Sequence, residues 1–159
     1  MKRTVYIETT VVSYVTARHS ADPVILGHQE ATHELWPRLL NDYRTYVSAL
    51  VIQEAGRGNP EQAQRRLDEL APFPVLQATD EARALAAAIM AGGGIPPEYP
   101  EDAGHVAVAA INGIEVVLTW NFAHLNNPFT RLKIREIVQA AGYACPEICS
   151  PDELLESER

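Results

Sequence analysis

Four polar residues of the sequence stand where an apolar run closes or a helix opens: Glu8, Glu54, Asp102 and Asn121. Glu8 lies between Val5-Tyr6-Ile7 and Thr9-Thr10-Val11-Val12, an apolar setting in which an unpaired carboxylate is expensive. Three carboxylates and a carboxamide brought together form an oxygen-rich set. Such a set suits Mg²⁺ or Mn²⁺, hard cations that keep several waters and need few protein ligands. Three negative charges without a cation would disfavour one another's ionisation. The chemistry this points to is a site for a hard divalent cation.

Taken one at a time, these residues have ordinary explanations. Asp102 can serve as a first-turn acid facing the helix dipole. Glu54 can be an exposed helix residue pairing with Arg57 at i+3, and Asn121 a turn residue. His105 shares a helix face with Asp102, and either orients it or is a satisfied core histidine. His124 and Trp120 read as packing groups. The elements that position the four are what lift them above these readings.

The β-branched run 4–7 predicts a strand, followed by a helix over 10–18. Ile25, His28, Thr32, Leu35, Trp36, Leu39 and Leu40 mark one helical face, with Pro37 expected to kink or restart it. A strand at 46–48 leads into a helix at 49–57, and Asn59-Pro60 opens another helix reaching Leu70. Val75-Leu76 is a third strand, and Thr79 caps a helix with Ala82, Leu85, Ala86, Ile89 and Met90 on one face. The stretch 92–100, three glycines followed by three prolines, is a loop. A helix from 101–102 ends at Asn112-Gly113, before a strand at 115–119. Ile134, Ile137, Val138 and Ala141 mark a last helix, and 147–149 a short final strand.

Strands alternating with helices imply βαβ crossovers and an α/β fold, a three-layer α/β/α sandwich around a mainly parallel sheet. In such a sheet the carboxyl ends of the strands and the N-termini of the returning helices share one edge, where ligands bind. Glu8 and Asn121 follow strands, Glu54 lies in the early turns of a helix after a strand, and Asp102 opens a helix that feeds one. All four fall on that edge.

The chain of 159 residues is the length of one domain. We expect it to occupy 1–149, with the acidic segment 150–159 as a peripheral tail. The net charge of −8 argues against holding long nucleic acid mainly by neutralising phosphates. A local basic face from Arg57, Arg65, Arg66, Arg131, Lys133 and Arg135 is compatible with it. Lys2-Arg3 run straight into the first strand with no signal-peptide h-region, and no apolar run approaches the roughly 18 residues of a membrane span. The expectation is a cytoplasmic protein without membrane contact. Cys145 and Cys149 read as free buried thiols rather than a zinc site or disulfide framework. Gly92-Gly93-Gly94 follows a helix and precedes prolines, so it is no phosphate cradle of a doubly wound small-molecule enzyme.

Val5-Tyr6-Ile7-Glu8-Thr9-Thr10, Leu50-Val51-Ile52-Gln53-Glu54, Glu101-Asp102-Ala103-Gly104-His105-Val106-Ala107 and Leu118-Thr119-Trp120-Asn121, in this order and spacing, resemble PIN-domain nucleases. The resemblance is to the VapC-like toxins of type II toxin–antitoxin pairs, and it spans nearly the whole chain. It implies a sheet of about five parallel strands, an Mg²⁺- or Mn²⁺-dependent endoribonuclease acting on RNA, a homodimer and a small cognate antitoxin. The family's metal-binding acids fall on Glu8, Glu54 and Asp102, with Asn121 at the place of a fourth acid and Thr9 as the small hydroxyl residue that follows the first acid and supports the site. His105 is a further supporting residue. The first acid is usually aspartate; Glu8 reaches roughly 1.5 Å further. Asn121 keeps an oxygen but removes a charge. These departures fit either a subgroup of the family or a weak or inactive module that binds RNA or a protein partner.

Overall fold

The computed structural model describes residues 1–158. Its strands are β1 (Thr4–Ile7), β2 (Arg44–Ser48), β3 (Val75–Leu76), β4 (Val116–Leu118) and β5 (Glu147–Cys149). Its helices are α1 (Thr9–Thr16), α2 (Pro23–Asn41), α3 (Ala49–Ala55), α4 (Pro60–Leu70), α5 (Asp80–Ala91), α6 (Pro100–Ile111), α7 (Pro128–Ala140) and α8 (Pro151–Ser157). The five strands form one sheet in the order β3-β2-β1-β4-β5, and every pairing is parallel. β1 is central: Val5 pairs with Thr45 on one side and Val116 on the other. Buried on both faces, β1 reads as the unbroken apolar run Val5-Tyr6-Ile7, all fully buried.

The order of strands reverses at β1, since β2 lies on one side of it and β4 on the other. Right-handed crossovers therefore place the helices before and after the reversal on opposite faces. The packing agrees: α1 meets α2 and α4, and α2 meets α8, whereas α5 meets α6 and α7. Helix α3 touches α1, α4 and also α6, joining the two layers at the sheet edge. The junction is close at a glycine. A Cβ on Gly104 of α6 would stand 2.7 Å from Leu50 Cδ1 of α3, the end of a flexible side chain. Gly104→Val is thus expected to displace the Leu50 side chain and destabilise the fold by about 1 kcal/mol, the low end of overpacking, in urea unfolding. A variant as stable as the parent would show that the contact yields freely.

Several elements differ from expectation for local reasons. Helix α2 continues through Pro37 without interruption. Pro37 and His33, whose carbonyl the proline leaves without its usual donor, are both exposed, so water can take that carbonyl. Helix α7 starts at Pro128, well before the apolar positions that announced it, because Asn127 caps it through Thr130 N at 3.0 Å. The segment from Ser150, expected as a peripheral acidic tail, is instead helix α8. Ser150 and Glu153 form a capping box, and the interleaved Leu154 and Leu155 are buried. Cys145 and Cys149 are free and partly buried. No helix among the described residues is long and apolar enough to cross a membrane.

Candidate active site

Glu8 leaves β1 and becomes the N-cap of α1. It is 3% exposed, and its Oε1 accepts three hydrogen bonds: Thr10 N at 3.1 Å, Thr10 Oγ1 at 2.5 Å and Thr119 Oγ1 at 2.7 Å. The two hydroxyls also accept from the backbone past β4, Thr10 Oγ1 from Trp120 N and Thr119 Oγ1 from Asn121 N, both at 2.9 Å. Glu8 is therefore tied to both strands at the point of reversal. Its Oε2 takes no hydrogen bond from the described residues, which leaves one oxygen for a ligand.

Glu54, in the last turn of α3, accepts Thr9 Oγ1 at 2.8 Å and His105 Nε2 at 2.5 Å on the same oxygen, Oε1. Thr9, expected as a residue that supports the site, bonds to Glu54. His105 is fully buried, and its Nδ1 lies 2.6 Å from the Tyr6 hydroxyl, which lies 2.7 Å from Ser48 Oγ. Ser48 ends β2 and caps α3, accepting Val51 N at 3.4 Å. The chain Glu54–His105–Tyr6–Ser48 runs through four elements, α3, α6, β1 and β2, and fixes the imidazole at both nitrogens.

Asp102 stands in the first turn of α6, and its Oδ2 lies 3.0 Å from His124 Nδ1. The histidine that orients Asp102 is therefore His124, and His105, expected as a candidate for that role, serves Glu54 and Tyr6. His124 stacks on Tyr99 with centroids 3.8 Å apart, and its backbone N donates to Asn121 Oδ1 at 2.9 Å. The carboxamide oxygen expected as a fourth ligand thus closes a turn, the ordinary role of asparagine there. Trp120 is buried against His28 at 4.1 Å and donates Nε1 to Thr32 Oγ1, a packing role. Arg57 does not pair with Glu54 but makes two hydrogen bonds to Glu101. Arg65, Arg131 and Arg135 are likewise engaged by Glu61, Glu153 and Glu147.

The acids and His105 set each other's charge. Burial works to raise Glu54, but the His105 hydrogen bond and charge and the Thr9 hydroxyl overcome it and hold its carboxyl at about 2. Burial works to lower His105, and Glu54, Glu8 and Asp102 together raise it above its ordinary 6.5. Glu8 is raised, because burial outweighs His105 and the threonine donors. The linkage signs follow. Stability from raised His105 is complete below 6.5 and lost as pH climbs through the folded value; Glu8, raised from 4.5, shifts in the same sense. Stability from Glu54 is present above 4.5 and lost as pH falls toward about 2. Without added metal, the urea midpoint should therefore peak at mildly acidic pH and decline toward alkaline pH, with His105→Gln weakening that decline. A midpoint unchanged from about pH 5 to about pH 9 would exclude this coupling.

Among the described residues no three His, Cys, Asp or Glu side chains stand together as a ready-made metal cage. The donor set still fits a hard divalent cation. Mg²⁺ is commonly held by one or two carboxylates, waters and substrate phosphate. Glu8 Oε2 and Asp102 Oδ1 both lack hydrogen-bond donors from the described residues, and both acids act electrostatically on His105. The functional residues that sequence reasoning missed are Tyr6, Thr10, Ser48, Thr119 and, as the partner of Asp102, His124. Only the clustering of hydroxyls at the ends of strands hinted at the threonines.

No family model matches the chain, and no curated protein matches its sequence. Its fold matches solved structures. VapBC2 from Rickettsia felis bound to a promoter DNA fragment is 13% identical, with a TM-score of 0.59 over 92% of this chain and 98% of that one. VapC20 from Mycobacterium tuberculosis, a toxin that cleaves the sarcin–ricin loop, is 15% identical, with a TM-score of 0.57 over 88% and 96%. VapBC-1 from nontypeable Haemophilus influenzae is 16% identical, with a TM-score of 0.59 over 94% and 98%. The chain therefore has the five-stranded parallel α/β fold of VapC toxins, matched over nearly its full length.

Proposed function

We propose that the chain is an endoribonuclease dependent on Mg²⁺ or Mn²⁺ and acts as the toxin of a toxin–antitoxin pair. The observation that carries the reading is that buried His105 bonds to Glu54 and also feels the charges of Glu8 and Asp102, near the edge where strand order reverses. The likeness of the fold to a toxin that cleaves the sarcin–ricin loop adds to it.

Glu8 through Oε2 and Asp102 through Oδ1 would hold the cation, which when bound supplies Lewis acidity and a more acidic water. Thr10 and Thr119 fix the Glu8 carboxylate through Oε1, which would leave Oε2 for the cation. Glu54, clamped by His105 and Thr9, positions the water that attacks phosphorus in line, and the bond to the 3′ oxygen breaks. The products are a 5′-phosphate and a 3′-hydroxyl. The likeness to VapBC structures further supports a cognate antitoxin as partner, and a homodimer belongs to the same reading. The test is incubation of the purified chain with cellular RNA. Cleavage that requires Mg²⁺ or Mn²⁺, stops on chelation and leaves 5′-phosphate ends is expected. Intact RNA under both metals would overturn the reading.

A second reading has one observation in its favour: Asn121 Oδ1 is committed to His124 N. On it, the chain is a PIN-like module that binds RNA or a protein without cutting. Calorimetric titration with Mn²⁺ separates the two. The nuclease reading expects binding that Glu8→Gln and Asp102→Asn abolish, and the module reading expects none.

A further inference from the structure

The loop before α6 is stiffened by Pro96, Pro97 and Pro100, and Tyr99 N donates to Pro96 O at 3.0 Å. It presents Tyr99 at the edge of a cleft of about 350 Å³ lined by Glu98, Tyr99, Pro100, Glu101 and Asp102. Tyr99 is 43% exposed, although large aromatic residues usually bury more of their surface. It rests on His124, at 3.8 Å and 28°, and His124 is hydrogen-bonded to Asp102. The exposed ring is thus braced against the side chain that orients a proposed metal-binding acid.

Charge decides what such a ring is for. The chain carries −8, and the nearby cation Arg57 is consumed by Glu101. A polyanion approaching this edge meets few free cations, so phosphate neutralisation contributes little. A neutral attraction has to supply the affinity, and stacking of an unpaired base on an aromatic face does so without regard to charge. The remaining cleft wall is carboxylate. Glu98 is exposed and makes no hydrogen bond with the described residues, so it is available to accept from a base amino group.

We propose that the cleft beside Asp102 is a base-binding subsite for single-stranded RNA, in which Tyr99 stacks on one splayed base and Glu98 selects bases that carry an exocyclic amine. The proposal rests on the ribonuclease reading and adds to it the binding and specificity residues. Adenine, cytosine and guanine offer an amino donor to Glu98, whereas uracil presents a carbonyl oxygen on the corresponding edge.

The test is fluorescence anisotropy with short labelled oligoribonucleotides, with Ca²⁺ replacing Mg²⁺ and again in chelator. Tyr99→Ala is expected to weaken binding of oligo(C) and oligo(A) about 10- to 100-fold. Tyr99→Phe should retain it, since the hydroxyl has no partner among the described residues. Glu98→Gln should reduce the preference for oligo(C) over oligo(U), and the parent's affinity should fall only weakly with added salt. Parent-like binding by Tyr99→Ala, equal loss in Tyr99→Phe, or no preference between oligo(C) and oligo(U) overturns the subsite. If RNA binding is unchanged but Tyr99→Ala no longer retains a co-purifying protein, the cleft is a protein-docking site and the proposal fails. Metal-dependent cleavage by the parent would leave the ribonuclease reading standing in each case. Absence of both RNA binding and cleavage by the parent would remove both.

Discussion

Asp102→Asn is expected to lower metal-dependent RNA cleavage at least a hundredfold, the scale on which loss of one charge-stabilising group acts, while the protein stays folded. The substitution preserves size, and an asparagine oxygen can still accept from His124 Nδ1, so the 3.0 Å contact that holds the start of α6 against the loop after β4 survives. What disappears is the charge. Glu8 is buried and already biased toward its neutral form, and Glu54 is clamped by His105 and Thr9, so partly exposed Asp102 carries the cation-holding role at that rim. Removing it also relieves repulsion among the acids, so the thermal midpoint without metal should hold or rise. Cleavage at the parental rate would sink the assignment, and loss of the folded circular dichroism signal would show that the role is structural.

His105→Leu is expected to be the most destabilising single change at the site, by about 3–5 kcal/mol, because it removes one partner of a buried ion pair. Leucine fills similar space, so a cavity is not the cause. It leaves Glu54 Oε1 with Thr9 alone and Tyr6 with Ser48 alone, and it removes the positive group that faces Glu8. The drop should appear as a fall of about 10 °C in melting temperature. Added Mg²⁺ should restore part of it by binding the folded state. His105→Gln, which can still donate toward Glu54, should lose less. A His105→Leu protein within about 1 kcal/mol of the parent would show that the acids do not need the imidazole.

These two residues also show how far reading the chain could go. The position of Asp102 followed from topology, since a helix feeding a parallel strand must start at the carboxyl edge. The role of His105 did not. Its spacing of three residues from Asp102 on one helix suggested that the two side chains meet, yet α6 presents His105 inward to α3 and β1, while Asp102 meets a histidine 22 positions later. Helical periodicity reports which residues share a face, and not which neighbour that face meets. The same limit hid Thr10 and Thr119. Each is an ordinary hydroxyl beside a strand end until β1 and β4 lie side by side and both hydroxyls converge on one Glu8 oxygen.

Local chemistry alone determined the alternation of strands and helices, the loop at 92–100 and the shared edge of Glu8, Glu54, Asp102 and Asn121, because hydrophobic period, caps and prolines act within a few residues. The acidic end of the chain shows where that information stops. Composition made the segment after Ser150 look solvated, whereas α8 packs on α2 and its Leu154 and Leu155 are buried in the core. Tertiary structure likewise decided that Asn121 closes a turn while Glu8 and Asp102 keep a free oxygen. Hydrogen-bond supply at a site depends on which elements meet there, and that is a property of the assembled fold.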